Sequence, residues 1–207
     1  IHYFKYVVQV SNESIFLGMD RTSLFLSIGR FMMMLGVLCV GFLVRFVDKK
    51  PLSALLTLGT AVCWFSFYFI PPDMYGLMLA LNALGSFMLG PTSALVWSMY
   101  GDVADYGQVR FGRRSTGLIH SASLFALKTG TMIAGFLSGW MLSLFGFAAN
   151  QPQSTRSLSG IVLMFSVIPA VFAVCKGIAL FMYPLNRRNV LENEQKLRSA
   201  VGPKQSL

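Results

Sequence analysis

Apolar residues run along this chain in long blocks separated by short polar turns. Crossing the hydrocarbon of a bilayer as a helix takes about 20 mostly apolar residues. Five blocks are read as spans on that basis: Ser23–Val47, Leu52–Ile70, Tyr75–Tyr100, Gly117–Phe147 and Leu158–Leu185. A sixth, Ile1–Val10, is shorter and opens on Ile rather than Met, without a charged segment before it. It does not read as a signal peptide. It is taken as the end of a helix that begins elsewhere, and the chain as a C-terminal fragment of a longer protein. The expected fold is an all-α membrane bundle over residues 1–185, with a tail over 186–207 as a short surface helix or a disordered segment.

Composition supports the membrane class. Of 207 residues, 55% are hydrophobic and 12% charged, where a soluble domain carries about 25% charged; mean hydropathy is +0.61. Cys39, Cys63 and Cys175 all sit inside apolar blocks without CxxC spacing, so they are buried apolar residues rather than disulfides or metal ligands. His2 and His120 are isolated, and no His-Glu-x-x-His, Gly-x-Ser-x-Gly or pair of intramembrane aspartates occurs. An enzyme, a metal site and a cofactor are therefore not expected.

The net charge of +9 is explained by where it lies. The turns alternate in character. Eleven Lys and Arg fall on one side: Arg45, Lys49, Lys50, Arg110, Arg113, Arg114, Arg187, Arg188, Lys196, Arg198 and Lys204. Only Arg21 and Arg156 fall on the other. By the positive-inside rule the rich side is cytoplasmic, and the C-terminus with it. The charge is a topology signal, and no basic face interleaved with aromatics invites nucleic acid.

Four cations remain within or near the spans. Lys5 and Lys176 are close enough to ends to snorkel. Arg30 lies about 12 Å into its span and Lys128 about 17 Å beyond Gly117 at 1.5 Å per residue. A charge that deep faces protein, water or ligand. Lys128 shares a helix face with Ser121, Leu124, Thr131 and Gly135, a polar stripe suited to a wet cavity. Gly130, Gly135 and Gly139 suit close helix packing. The preceding span carries Asn82, Ser86 and Gly90-Pro91, the last pair a kink or a hinge. Trp97 suits the interfacial aromatic belt.

The densest polar motif is Gly101-Asp-Val-Ala-Asp-Tyr-Gly-Gln-Val-Arg-Phe-Gly-Arg-Arg-Ser-Thr-Gly117, expected as a loop from Asp102 to Thr116. It resembles the loop between helices ten and eleven of the glycoside–pentoside–hexuronide:cation symporters, the melibiose-permease-like group of the major facilitator superfamily. The interval from Arg114 to Lys128 matches as well. So do Tyr3-Phe4-Lys5-Tyr6, Gly146-Phe-Ala-Ala-Asn150 with Gln153-Ser154, and Gly160-Ile161, Pro169 and Tyr183-Pro184-Leu185. The resemblance covers nearly the whole chain. Gln108, Phe111 and Thr116 depart from it, replacing Glu, Thr and Glu respectively, so the loop is less acidic than is usual. Arg30 is not a feature of that pattern.

The resemblance implies the C-terminal six-helix half of a twelve-helix fold, its first helix truncated. It implies sugar transport coupled to Na⁺ or H⁺, by rocking of two bundles in a cell inner membrane. The other half would be the partner and would hold the main sugar and cation carboxylates. Asp102, Asp105, Tyr106, Arg113 and Arg114 would form a cytoplasmic gate. Lys128, with Ser121, Thr131, Arg30 and Asn82, would line the cavity. The alternatives are a non-sugar, lipid-like substrate, or a non-transporting scaffold or sensor.

Overall fold

The computed structural model describes residues 3–8 and 20–201. The outer residues of the Ile1–Val10 block, His2, the Lys5 side chain and Lys204 lie outside the described residues. Everything regular among the described residues is helical: a π-helical turn at Tyr3–Val7, then α1 Arg21–Phe46, α2 Lys49–Ser66, α3 Tyr75–Phe111, α4 Thr116–Leu144, α5 Thr155–Phe165, α6 Val167–Met182 and α7 Arg187–Val201.

By length and composition, Arg21–Phe46, Tyr75–Phe111 and Thr155–Met182 can cross a membrane. The other two expected spans are helices but fall short of that combined measure. Lys49, Lys50 and Pro51 lie within the 18 residues of α2, and Lys128 with several Ser and Thr dilutes α4.

α3 is the central element and packs chiefly on α1 and α2, while α2 also packs on α6. The crossing with α1 is backbone on backbone. A methyl at Gly36 would lie 2.2 Å from the Phe87 carbonyl, and one at Gly90 would lie 2.2 Å from the Met33 carbonyl. Pro91 explains the choice of site: having no N–H, it leaves the Phe87 carbonyl without its intrahelical donor. The freed oxygen turns to Gly36, where only a bare Cα lets α1 approach this closely. α3 thus passes through Gly90-Pro91 without a break, and Thr92 and Ser93 hydroxyls donate back to the Met88 and Gly90 carbonyls.

The last expected span does break. Pro169 cannot donate to the Phe165 carbonyl, and the buried Ser166 hydroxyl donates to the Val162 carbonyl at 2.7 Å. α5 ends there and α6 begins one residue later.

The buried core lies away from the charged turns, where Tyr3, Phe4, Phe25, Phe67, Met78 and Ile161 cluster. Tyr3 stacks on Phe165 with centroids 4.2 Å apart. The Gly146–Asn150 turn closes this end. The Gln153 side chain accepts from the Ala148 N–H and the Ser157 hydroxyl and donates to the Ala148 and Gln151 carbonyls. α4 stands apart: none of its residues is buried.

Candidate functional site

The polar motif is helical rather than a loop through Phe111. No proline lies between Asp102 and Phe111, and the helix runs through Gly107. Gly112 ends it with φ +71°, its N–H donating to the Gln108 carbonyl. At 37 residues α3 is about 55 Å long, against a hydrocarbon core of about 30 Å. Its last three turns extend past the bilayer and carry Asp102, Asp105 and Tyr106 on a rigid rod. The connecting turn shrinks to Gly112–Ser115.

Each carboxylate on this rod has a cation. The Lys49 ammonium, at the start of α2, donates to both Asp102 oxygens at 3.2 and 3.1 Å. The Arg114 guanidinium lies 3.1 Å from Asp105. Their environments differ. Asp102's side chain is 12% exposed and Lys49's 33%, while Arg114 is 59% exposed. An exposed pair contributes about 0.2–1 kcal/mol, so the Lys49–Asp102 pair carries more of the energy. Tyr106 accepts a hydrogen bond from Arg110, one turn on, whose guanidinium also lies 5.8 Å from the ring centroid. Arg113 is exposed.

The tail helix closes this end of the bundle. The Arg187 guanidinium lies 3.5 Å from Asp48, and α7 packs on α3. A cavity of about 170 Å³ lies between them, lined by Lys49, Asp102, Met99, Tyr183, Arg187 and Glu194 among others. The Tyr183 hydroxyl donates to the Met99 carbonyl at 3.4 Å.

The residues expected in a central cavity come from three helices, α1, α3 and α4. Lys128, Ser121 and Thr131 share one exposed stripe of α4. The Ser121 and Thr131 hydroxyls donate to the Gly117 and Leu127 carbonyls of their own helix, which leaves lone pairs to the outside. Asn82 belongs to the α1–α3 crossing, where its amide donates to the Phe25 carbonyl at 2.8 Å. Arg30 is exposed on α1. Among the described residues no hydrogen bond or ion pair joins Arg30 or Asn82 to Lys128.

Lys49 is the functional candidate that sequence reasoning missed. It was read as a topology charge, and 53 residues separate it from its carboxylate. The usable signal was that the Lys49 turn and Asp102 fall on the same side of the bundle.

Described residues whose regular structure is all helical, with three helices long and apolar enough to cross a membrane, define a polytopic membrane protein. The chain belongs to the glycoside–pentoside–hexuronide:cation symporters of the major facilitator superfamily: the family described as MFS/sugar transport protein matches residues 2–187. It is 32% identical to "Putative glycoside/cation symporter YagG" of Escherichia coli over 80% of this chain and 36% of the relative. It is 30% identical to "Inner membrane symporter YicJ" of E. coli, covering 77% and 37% respectively. It is 28% identical to "Glucuronide carrier protein homolog" of E. coli, covering 73% and 33%. The chain thus spans about a third of the length of these relatives.

Proposed function

We propose that this chain is the C-terminal six-helix half of a sugar:cation symporter that works by alternating access in an inner membrane, with α7 on the cytoplasmic side. The bundle would be residues 1–185 and the tail 186–207, completed by an N-terminal half. The observation that carries the reading is the separation of two charge systems along the bundle. Paired charges sit where α2, α3 and α4 meet at one end. The cation Lys128 stands on α4 beyond the Gly112–Ser115 turn, about 18 Å along its own helix from Thr116.

In this reading Asp102–Lys49 and Asp105–Arg114, with Tyr106 and Arg113, hold the cytoplasmic side closed and release when the bundles rock. Lys128, Ser121 and Thr131 present an ammonium and hydroxyl lone pairs to the sugar, with Arg30 and Asn82 on the α1–α3 side of the cavity. Coupling to Na⁺ or H⁺ uses carboxylates of the other half. Helices α1, α2, α4, α5 and α6 carry no acidic residue, and α3 none before Asp102. Arg30 and Lys128 therefore favour, within the sugars, one that bears a carboxylate. The name of the glucuronide carrier relative agrees with that choice.

The test is Lys128→Ala in the full-length protein. A charge-assisted hydrogen bond contributes about 1.5–3 kcal/mol, so gradient-driven sugar uptake should fall roughly tenfold to hundredfold at unchanged expression. Normal uptake would remove Lys128 from the cavity.

A further inference from the structure

α4 does not close against its neighbours. Its contacts with α3 and α5 are sparse, and cavities lie along the face it turns to α3, α5 and α6. One of about 320 Å³ is lined by Trp97, Tyr100, Ser123, Ala126, Leu127 and Lys176, with others. Deeper along the same helices lies one of about 550 Å³, lined by Gly130, Ala134, Leu137, Met164, Ile168 and Phe172, with others. On α4 these residues follow one stripe: Ser123, Leu127, Gly130, Ala134, Leu137, Met141. Opposite, Lys176, Phe172, Ile168 and Met164 repeat every four residues. The two cavities follow one another along this stripe as a seam, polar at the end nearer α7 and apolar beyond it.

The polar end is built for an anion. Lys176 is the one charged side chain lining either cavity, and no described ion pair uses it. The Ser123 and Ser93 hydroxyls donate to the Ile119 and Gly90 carbonyls, which leaves them no proton for a ligand. The available donors are the Lys176 ammonium, the Tyr100 hydroxyl and the Trp97 indole N–H, none in a hydrogen bond among the described residues. Trp97 is held in place by stacking on His120, at 6.0 Å and 16°. Three donors without a matching carboxylate suit phosphate oxygens better than an uncharged polyol, which also presents protons of its own.

The dimensions match one lipid leaflet. Lys176 lies six residues, about 9 Å, before the end of α6 at Met182, within snorkelling reach of the headgroup level. Phe172 lies ten residues, about 15 Å, before the same end, against roughly 15 Å for half the hydrocarbon core. Basic pockets between membrane helices commonly take anionic headgroups.

We propose that this seam holds one anionic glycerophospholipid of the leaflet on the α7 side. Its phosphate is bound by Lys176, Tyr100 and Trp97, and an acyl chain runs between the Gly130–Ala134–Leu137 stripe and Phe172. The site is separate from the sugar cavity, and lipid retention is measured without reference to transport.

Native mass spectrometry of the full-length protein, purified in mild detergent with added phosphatidylglycerol or phosphatidylcholine, tests this. One phosphatidylglycerol should be retained in preference to phosphatidylcholine. Lys176→Met should lower that retention roughly fivefold or more, and Lys176→Arg should restore it. Ala134→Phe, which fills the seam and leaves Lys176 alone, should also displace the lipid, and serves where Lys176→Met fails to fold. Retention unchanged in Lys176→Met or in Ala134→Phe, or equal retention of the two lipids, would overturn the proposal. So would displacement of the lipid by millimolar inorganic phosphate, which would mark a site for the free anion.

Discussion

Asp102 and Asp105 sit three residues apart on one rod, yet their partners make them unequal. Lys49 reaches a carboxylate that is mostly buried, whereas Arg114 reaches one through water-exposed geometry. Removing Lys49 leaves a desolvated charge without its donor, at a cost of about 1–3 kcal/mol. Removing Arg114 costs about 0.2–1 kcal/mol. Thermal unfolding of the purified full-length protein should therefore fall more for Lys49→Ala than for Arg114→Ala, and equal shifts would refute the ranking. Transport separates the same residues from a purely structural role. Asp105→Asn and Arg114→Ala should slow uptake severalfold while sugar affinity changes less. A parallel loss of affinity and rate would place these residues in binding rather than in gating.

The helices themselves were largely legible, because long apolar blocks between short polar turns leave little choice of element. α1 starts two residues from the expected Ser23, with Asp20 accepting from the Ser23 N–H as its cap. What the pattern misjudged was where polar residues stop a helix. The Asp102–Phe111 segment is polar but holds no proline, and its one glycine, Gly107, stays in the helix, which ends only at Gly112. Leu158–Leu185 is mostly apolar and still breaks at Ser166, three residues before Pro169, which cannot donate to the Phe165 carbonyl. Pro91 has the same defect, and there α1 supplies the remedy through Gly36, which only the packed structure reveals. The α1–α3 crossing accordingly admits no Cβ. Gly36→Ala and Gly90→Ala should each destabilise by about 1–3 kcal/mol or more. Gly76→Ala, at the open start of α3 with nothing within 4 Å, should be neutral or slightly stabilising. Chemical unfolding in detergent measures all three, and tolerance of Gly90→Ala would contradict the backbone contact.

Across the whole molecule, charge and burial are divided along the bundle. Aromatic packing secures one end, and ion pairs with the tail helix secure the other. Between them α4 offers Lys128, Ser121 and Thr131 from a helix with no buried residue. That Lys49, Asp102 and Arg187 gather at one end of the bundle was readable from the sequence, as were Asp105 and Arg114 as neighbours across one short turn. The Lys49–Asp102 pair was not, because it joins helices far apart in the chain. Nor was the Asn82 bond that joins α3 to α1, since periodicity orders residues around a single helix and says nothing of contacts between helices. The central claim is that the full-length protein moves a sugar with a cation. Its most direct test is uptake of a panel of labelled glycosides and hexuronides into proteoliposomes holding the purified full-length protein. The predicted result is accumulation of at least one sugar when an inward Na⁺ or H⁺ gradient is imposed, and its loss when the gradient is collapsed. No gradient-driven uptake of any member of the panel, from folded protein, would contradict the account.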